Sequence, residues 1–362
     1  YNGNIAIEKN LTSAEKTCVL AEELGHHYTT TGNILDQQEV ANIKQELHAR
    51  TWAYNECVGL IGIVKAFEAG CNFFNTAEVY GDVVFYPGHN EELVGKALSS
   101  VRKDVVLATK LHLRPDEVAA RSSVYDAVKS HLVASMKRLG TDYVDLYYLH
   151  RINEEVSFEE VAAAMGRLID EGLIRGWGLS QVDVETLAKA HAITPVSAVQ
   201  NIYSMLERGC EAEVIPYCVE HNIGFVPFSP IASGFLSGKV TVDTKFEEVD
   251  DVRKFVPQLN KENITANQPI LDVLADFSKR KNATNAQISL AWMLHKYPNV
   301  VPIPGSNNLE RILENLGAAD VTLTDNEFAQ LEAALNACTV HGHRGFVETE
   351  QHTFGNNWKK KE

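Results

Sequence analysis

From about residue 57 to about residue 335 the chain alternates short apolar runs with longer amphipathic stretches, and this alternation limits its fold more than any other feature. The apolar runs predict strands at Cys71–Asn75, Val105–Thr109, Tyr143–Leu149, Leu173–Leu179, Ala198–Asn201, Gly224–Phe228 and Val300–Ile303. Apolar residues three and four apart predict helices over Asn90–Ser100, Val124–Leu139, Phe158–Asp170, Val184–His191, Glu211–Glu220, Pro269–Lys281, Ala286–His295 and Leu309–Leu316. Repeated strand–helix units imply parallel strands joined by crossovers. A (β/α)8 TIM barrel, with eight parallel strands and long loops on its C-terminal face, suits a single domain over 1–362. The competing open, doubly wound sheet usually carries a Gly-rich first turn, and no GxGxxG follows any predicted strand. Ser233–Lys239 is one residue short of a phosphate loop and precedes no clear helix. The missing first barrel strand is expected within the atypical region 1–56, near 27–35. The polar stretches 240–266 and 341–362 are expected to be long loops.

Composition narrows the function. The formal net charge of −15, from 33 basic and 48 acidic residues, argues against non-specific nucleic-acid binding but leaves room for a local phosphate pocket. No stretch approaches the ~20 apolar residues that span a bilayer, so no membrane partner is expected. Tyr1–Asn10 lack the pattern of a secretory signal. The six cysteines form no CxxC pair and read as reduced thiols of a cytoplasmic protein. His341-Gly-His343 reads as two solvated side chains, and no metal site is expected.

In a parallel barrel the reactive groups sit at the C-terminal strand ends. These ends carry Tyr80, Lys110 and His150, followed by Ser180, Gln181 and Gln200. The first three suit carbonyl reduction, which needs a hydride donor and a proton donor. A tyrosine of pKa about 10 is a poor acid near neutrality. A neighbouring lysine cation lowers that pKa, and a neutral histidine can hydrogen-bond and orient the carbonyl.

Six segments resemble the aldo-keto reductase family in order and spacing. They are Phe73-Phe-Asn-Thr-Ala-Glu-Val-Tyr-Gly81, Asn90-Glu-Glu-Leu-Val-Gly95, Leu139-Gly-Thr-Asp-Tyr-Val-Asp-Leu-Tyr-Tyr-Leu-His-Arg151, Gly176-Trp-Gly-Leu-Ser180, Val226-Pro-Phe-Ser-Pro-Ile231, and the segment from Pro302 to Asn315. The resemblance implies a barrel that binds NADPH/NADP+ in extended form, with NADH less favoured. It implies Tyr80 as proton donor, Lys110 as its pKa tuner and His150 as substrate orienter. Ser180, Gln181 and Gln200 then match positions that hold the nicotinamide carboxamide, and Phe228 the aromatic stacked on its ring. The loop Ser229 to Lys239, with Pro230, Ile231, Ser233, Gly234 and Leu236, matches the pyrophosphate site. Gly305, Ser306, Arg311, Glu314 and Asn315 match the adenosine end.

The chain departs from the family at several points. Asn75 stands where the family places an aspartate that pairs with the lysine. Asparagine can accept a hydrogen bond from Lys110 but cannot neutralise it, and the expectation is reduced but real activity. No Gly-rich first strand is visible in 1–56. Val83–Pro87 lengthens the loop after Tyr80. Asn307-Asn308 replaces a frequent basic residue, leaving Arg311 as the main support for NADP. Two classes of function follow: an NADP-dependent reductase of aldehydes or ketones, or a cofactor-binding regulatory or scaffold subunit with weak or no turnover. Phe85, Tyr86, His112, Tyr203 and Phe346 are the expected pocket walls.

Overall fold

The computed structural model describes residues 59–81, 86–246 and 251–345. The expected first strand, Phe85 and Phe346 lie outside these residues. A helix α1 over 59–68 leads into β1 (Phe73–Asn75). The chain then runs through α2 (His89–Leu98), β2 (Val106–Leu111), α3 (Pro115–Ala119), α4 (Val124–Leu139), β3 (Val144–Leu149), α5 (Phe158–Asp170), β4 (Ile174–Ser180), α6 (Val184–Ile193), β5 (Ala198–Gln200), α7 (Val214–Glu220) and β6 (Gly224–Phe225). After β6 come α8 (Lys261–Ala266), α9 (Gln268–Lys281), α10 (Asn285–Lys296), α11 (Leu309–Leu316) and α12 (Asp325–Asn336).

The strands pair in chain order, β1 to β6, and every pairing is parallel. The segment expected as a last strand, Val300–Ile303, lies parallel beside β6 but makes only one bridge, Phe225↔Val300. Its amides at Val301 and Ile303 donate to the carbonyls of Phe225 and Pro227. Pro227, Pro302 and Pro304 have no N–H to give, so a continuous ladder cannot form here. For the same reason β6 is shorter than the expected Gly224–Phe228.

Helix ends fall where the local chemistry stops them. The hydroxyl of Ser123 accepts from the amide of Asp126 to open α4, and Gly140, at φ 64°, closes it in the left-handed conformation that glycine adopts without strain. Ser157 and Asn308 cap α5 and α11 in the same way as Ser123. Two expectations are corrected. Residues 251–266 are not a plain loop: two 3-10 turns and α8 bury Val256, Leu259 and Ile264. Tyr203 is not a pocket wall: it is fully buried, stacks on Trp292 at 5.6 Å and donates its hydroxyl to Glu211 at 2.7 Å.

The pleat divides each strand into two sets. One set faces the helices: Leu107, Tyr147, Trp177, Val199 and Phe225 join the large core. The other faces the barrel interior: Ala108, Tyr148, Ala198 and Val226 form a small cluster with Phe73, Leu146 and Ile303. That second set continues into the site. Among the described residues no helix is long and apolar enough to cross a membrane.

Candidate active site

Two residues beyond the interior cluster, the same strand parity yields Asn75 after Phe73, Lys110 after Ala108 and His150 after Tyr148. It likewise yields Gln200 after Ala198 and Phe228 after Val226, and Ser180 ends β4 beside Gln200. These expected site residues are therefore the inward-facing side chains at one rim. Strand alternation places them, and Tyr80 joins them from the turn after β1.

Lys110 is fully buried. Its Nζ donates to the carbonyl of Thr76 at 2.8 Å and to the hydroxyl of Tyr80 at 3.2 Å. Tyr80, 37% exposed, stands at the open edge of the mouth, its ring edge-on to His150 at 5.7 Å. The three expected catalytic side chains thus converge. Burial pushes Lys110 well below its ordinary pKa, the charge of Arg151 pushes it further, and Glu91 opposes both. Burial raises the Tyr80 phenol and Arg151 lowers it. His150 is pushed down to about 2 by burial, then by Lys110, Arg151 and His112, so its imidazole is neutral. Its Nδ1 is buried and has no hydrogen-bond partner.

Asn75 does not hold Lys110. Its Oδ1 accepts from Nε2 of Gln200 at 3.0 Å, and the Thr76 carbonyl takes the lysine. A neutral amide has no charge with which to compete for the ammonium, and the Thr76 carbonyl lies beside it. Two residues given no role in the sequence reading act on the site. Nη1 of Arg151 donates to Oγ of Ser180 at 3.0 Å and to the His150 carbonyl, and its guanidinium lies 6.0 Å from the Phe228 ring centre. Glu91, fully buried behind Lys110, accepts from Thr109 at 2.6 Å and from Arg138 at 2.6 Å. No local signal marked either: Glu91 stands among His89, Asn90 and Glu92, and Arg151 between His150 and the polar run from Asn153 to Glu155.

A cleft of about 680 Å³ opens beside these groups. Its walls include Tyr80, His150, Gln200 and Phe228, and it continues past Ser229 to Gly305, Ser306 and Asn315. Gln181, at φ 60°, turns its side chain back to accept from the amide of Ile202 at 3.1 Å. Ser229, Ala232, Ser233 and Gly234 have φ of 51°, 48°, 55° and 96°. These left-handed residues curl the backbone around Pro230 and Ile231 into a tight turn, in which the amides of Ala232 and Gly234 donate to the carbonyls of Ser229 and Ile231. Oγ of Ser233 is buried there and has no partner, while Leu236 anchors the loop in the core.

Lys239, expected at an anion, instead pairs with Glu314 at 3.0 Å, joining this loop to α11. The amide of Arg311 donates to the Asn308 cap, and its side chain is exposed. Of the other expected pocket walls, His112 lies at the mouth, 6.4 Å from His150, while Tyr86 is exposed and donates to Glu92 at 2.8 Å. Among the described residues, Cys71, Cys210, Cys218 and Cys338 are free thiols, and no cluster of metal ligands occurs.

The sequence model of the Aldo/keto reductase family matches residues 53–336. A probable aldo-keto reductase from Glycine max is 36% identical over 303 residues, covering 81% of this chain and 85% of that protein. A glycerol dehydrogenase from Gluconobacter oxydans superposes with a TM-score of 0.69 at 26% identity, covering 78% of this chain and 86% of that one. An aldo/keto reductase from Klebsiella pneumoniae, solved in complex with NADP and acetate, gives a TM-score of 0.62 at 26% identity, covering 81% of this chain and 90% of that one. The chain therefore belongs to the aldo/keto reductase family, NAD(P)-dependent oxidoreductases built on the (β/α)8 barrel that act on small carbonyl compounds.

Proposed function

We propose that this protein is an NADP(H)-dependent reductase of aldehydes or ketones in which Tyr80 supplies the proton. The observation that carries the reading is the 3.2 Å contact between Lys110 Nζ and the Tyr80 hydroxyl at the mouth of the cleft, with a neutral His150 beside it. The cofactor reading draws support from the chain's own residues. The orphaned Ser233 hydroxyl in the turn at Ser229–Gly234 suits a diphosphate. The cleft also extends far enough to join Phe228 and Gln200 to Ser306 and Asn315, as an extended dinucleotide requires.

The bound dinucleotide supplies a hydride. The protein does the rest. Neutral His150 donates a hydrogen bond to the carbonyl oxygen and sets its direction. Tyr80 gives its proton to that oxygen as negative charge develops on it. The phenolate left behind faces the Lys110 ammonium and the Arg151 charge, both of which favour it. Ser180 and Gln200 would hold the nicotinamide carboxamide, and Phe228 would lie against its ring.

The test mixes the protein with NADPH and nitrobenzaldehyde and follows the absorbance of the reduced cofactor. Loss of that absorbance, abolished in Tyr80→Phe, is the expected result. Tight cofactor binding with no turnover would overturn the reductase reading in favour of a regulatory or scaffold subunit.

A further inference from the structure

The cleft differs in charge from the chain that forms it. The protein carries a net charge of −15, yet among the described residues no Asp or Glu lines the cleft. The one permanent cation in its described walls is Arg151, two residues past the end of β3. Its contacts are with the His150 carbonyl, the Ser180 hydroxyl and the Phe228 ring. Arg151 therefore stands at the end of the cleft that holds the catalytic groups, not at the end lined by Ser306 and Asn315.

Arg151 has no counter-ion among the described residues. Both of its hydrogen bonds leave Nη1, to the His150 carbonyl at 2.5 Å and to Ser180 Oγ at 3.0 Å, and both acceptors are neutral. Nε and Nη2, the two nitrogens of its side-on fork, donate to none of the described residues. Burial lowers its pKa and Tyr80 opposes that, with no carboxylate contributing. The nearby Lys110 is a second cation and not a partner, since each disfavours the other's charge. Other partly buried arginines are neutralised: Arg102 meets Asp145 at 2.8 Å, Arg138 meets Glu91 at 2.6 Å, and Arg208 meets Glu211 at 2.9 Å and Glu332 at 2.8 Å. A half-buried guanidinium without such a partner loses hydration with no ionic attraction to offset the loss.

We propose that Arg151 is a specificity-determining residue that takes a carboxylate of the substrate, so that the substrates are oxo acids, aldehydes or ketones that also bear a carboxylate. The proposal rests on the reductase reading above and names its substrate class. The side-on fork of a guanidinium matches the two oxygens of a carboxylate. His150 directs the carbonyl oxygen of the same molecule, so two separate points fix it in the cleft. The carbonyl carbon receives the hydride as the reduced dinucleotide is oxidised, and the oxygen receives the proton of Tyr80. The product is the corresponding hydroxy acid, its carboxylate unchanged.

The test measures kcat and KM at saturating NADPH for two pairs that differ only in the charge of one end. The pairs are 4-carboxybenzaldehyde against methyl 4-formylbenzoate, and succinic semialdehyde against its methyl ester. The unmodified protein is expected to prefer the acid at least about tenfold in kcat/KM in one pair or both, chiefly through KM. Arg151→Gln slows acid and ester alike through the lost charge beside Tyr80 and Lys110, so the readout is the acid-to-ester ratio of kcat/KM. That ratio is expected to fall about ten- to a hundredfold in the preferred pair. Arg151→Lys, which keeps the charge and loses the fork, falls between. Thermal unfolding checks that each variant is folded. A ratio near one for both pairs in the unmodified protein overturns the proposal and leaves the reductase reading intact. A ratio that Arg151→Gln leaves unchanged does the same. If Arg151→Gln unfolds, Arg151→Lys must itself lower the ratio, or the proposal falls. Failure of the unmodified protein to reduce any of the four compounds overturns the reductase reading, and the proposal with it.

Discussion

Lys110 Nζ lies 3.2 Å from the hydroxyl of Tyr80, and both of the oxygens it donates to, that one and the Thr76 carbonyl, are neutral. A buried ammonium held by neutral acceptors is poorly stabilised, so Lys110 sits well below its ordinary pKa. Tyr80→Phe removes the proton donor, and Lys110→Met removes the charge that stabilises the phenolate. Each is expected to lower kcat for nitrobenzaldehyde about 10²–10⁴-fold with cofactor affinity little changed. Loss of less than threefold in Tyr80→Phe, read from steady-state rates, would remove Tyr80 from the mechanism.

The amide of Asn75 pairs with Gln200 and leaves Lys110 without a carboxylate at this position. A carboxylate there would favour the lysine cation. Asn75→Asp is therefore expected to raise turnover and to move the alkaline limb of the kcat profile to higher pH, because Lys110 would then lose its proton later. A variant with unchanged turnover and an unchanged limb would show that Asn75 has no part in setting the lysine.

Arg151 bears on the same limb from the other side. It lowers both Tyr80 and Lys110. Removing it raises both, so each effect carries the alkaline limb of kcat/KM the same way, to higher pH. Arg151→Gln keeps a donor for Ser180 and discards the charge. A pH–rate profile that moves down or stays still would rule out Arg151 as a source of this field.

Much of this architecture can be read from the chain. The bounds of α4, α5 and α11 match the expected helices because Ser123, Ser157 and Asn308 are side-chain caps that local sequence displays. The convergence of Lys110 and His150 was also legible, since strand parity is a local property, and Tyr80 was legible from the segment Phe73–Gly81, in which it stands in the turn after β1. α12 was missed although Thr324 and Glu327 form a capping box, a signature visible in the sequence. What stayed hidden depends on distant partners. Gln200 reaches Asn75 across 125 residues, and Arg344 reaches Ser229 across 115, with nothing local to mark either. Tyr203 was misplaced because an aromatic at a strand-end loop looks alike whether it faces a pocket or stacks on Trp292.

Glu91 is fully buried and its carboxylate is held by Arg138 at 2.6 Å. Arg138→Met would strand that charge inside the protein. The expected cost is about 3–5 kcal/mol in urea unfolding, because desolvation of the unpaired carboxylate is no longer offset. A change below about 1 kcal/mol would mean that Thr109 alone suffices to hold Glu91.

Glu78 links the catalytic loop to α4. Its Oε1 accepts from the His112 amide at 2.6 Å, and its Oε2 meets Nδ1 of His131 at 2.8 Å. The hydrogen bond to Glu78 raises the His131 pKa above 6.5, more than burial lowers it. The folded state then holds the proton more tightly than the unfolded chain does. The resulting stabilisation is fully present below about pH 6.5 and is lost as pH rises through the raised folded value. His131→Gln can still hydrogen-bond Glu78 but carries no charge. Its melting temperature should fall below that of the unmodified protein at about pH 5.5 and approach it at about pH 9. A deficit that is constant across that range, measured by calorimetry, would show that packing and not the charge of His131 accounts for the difference.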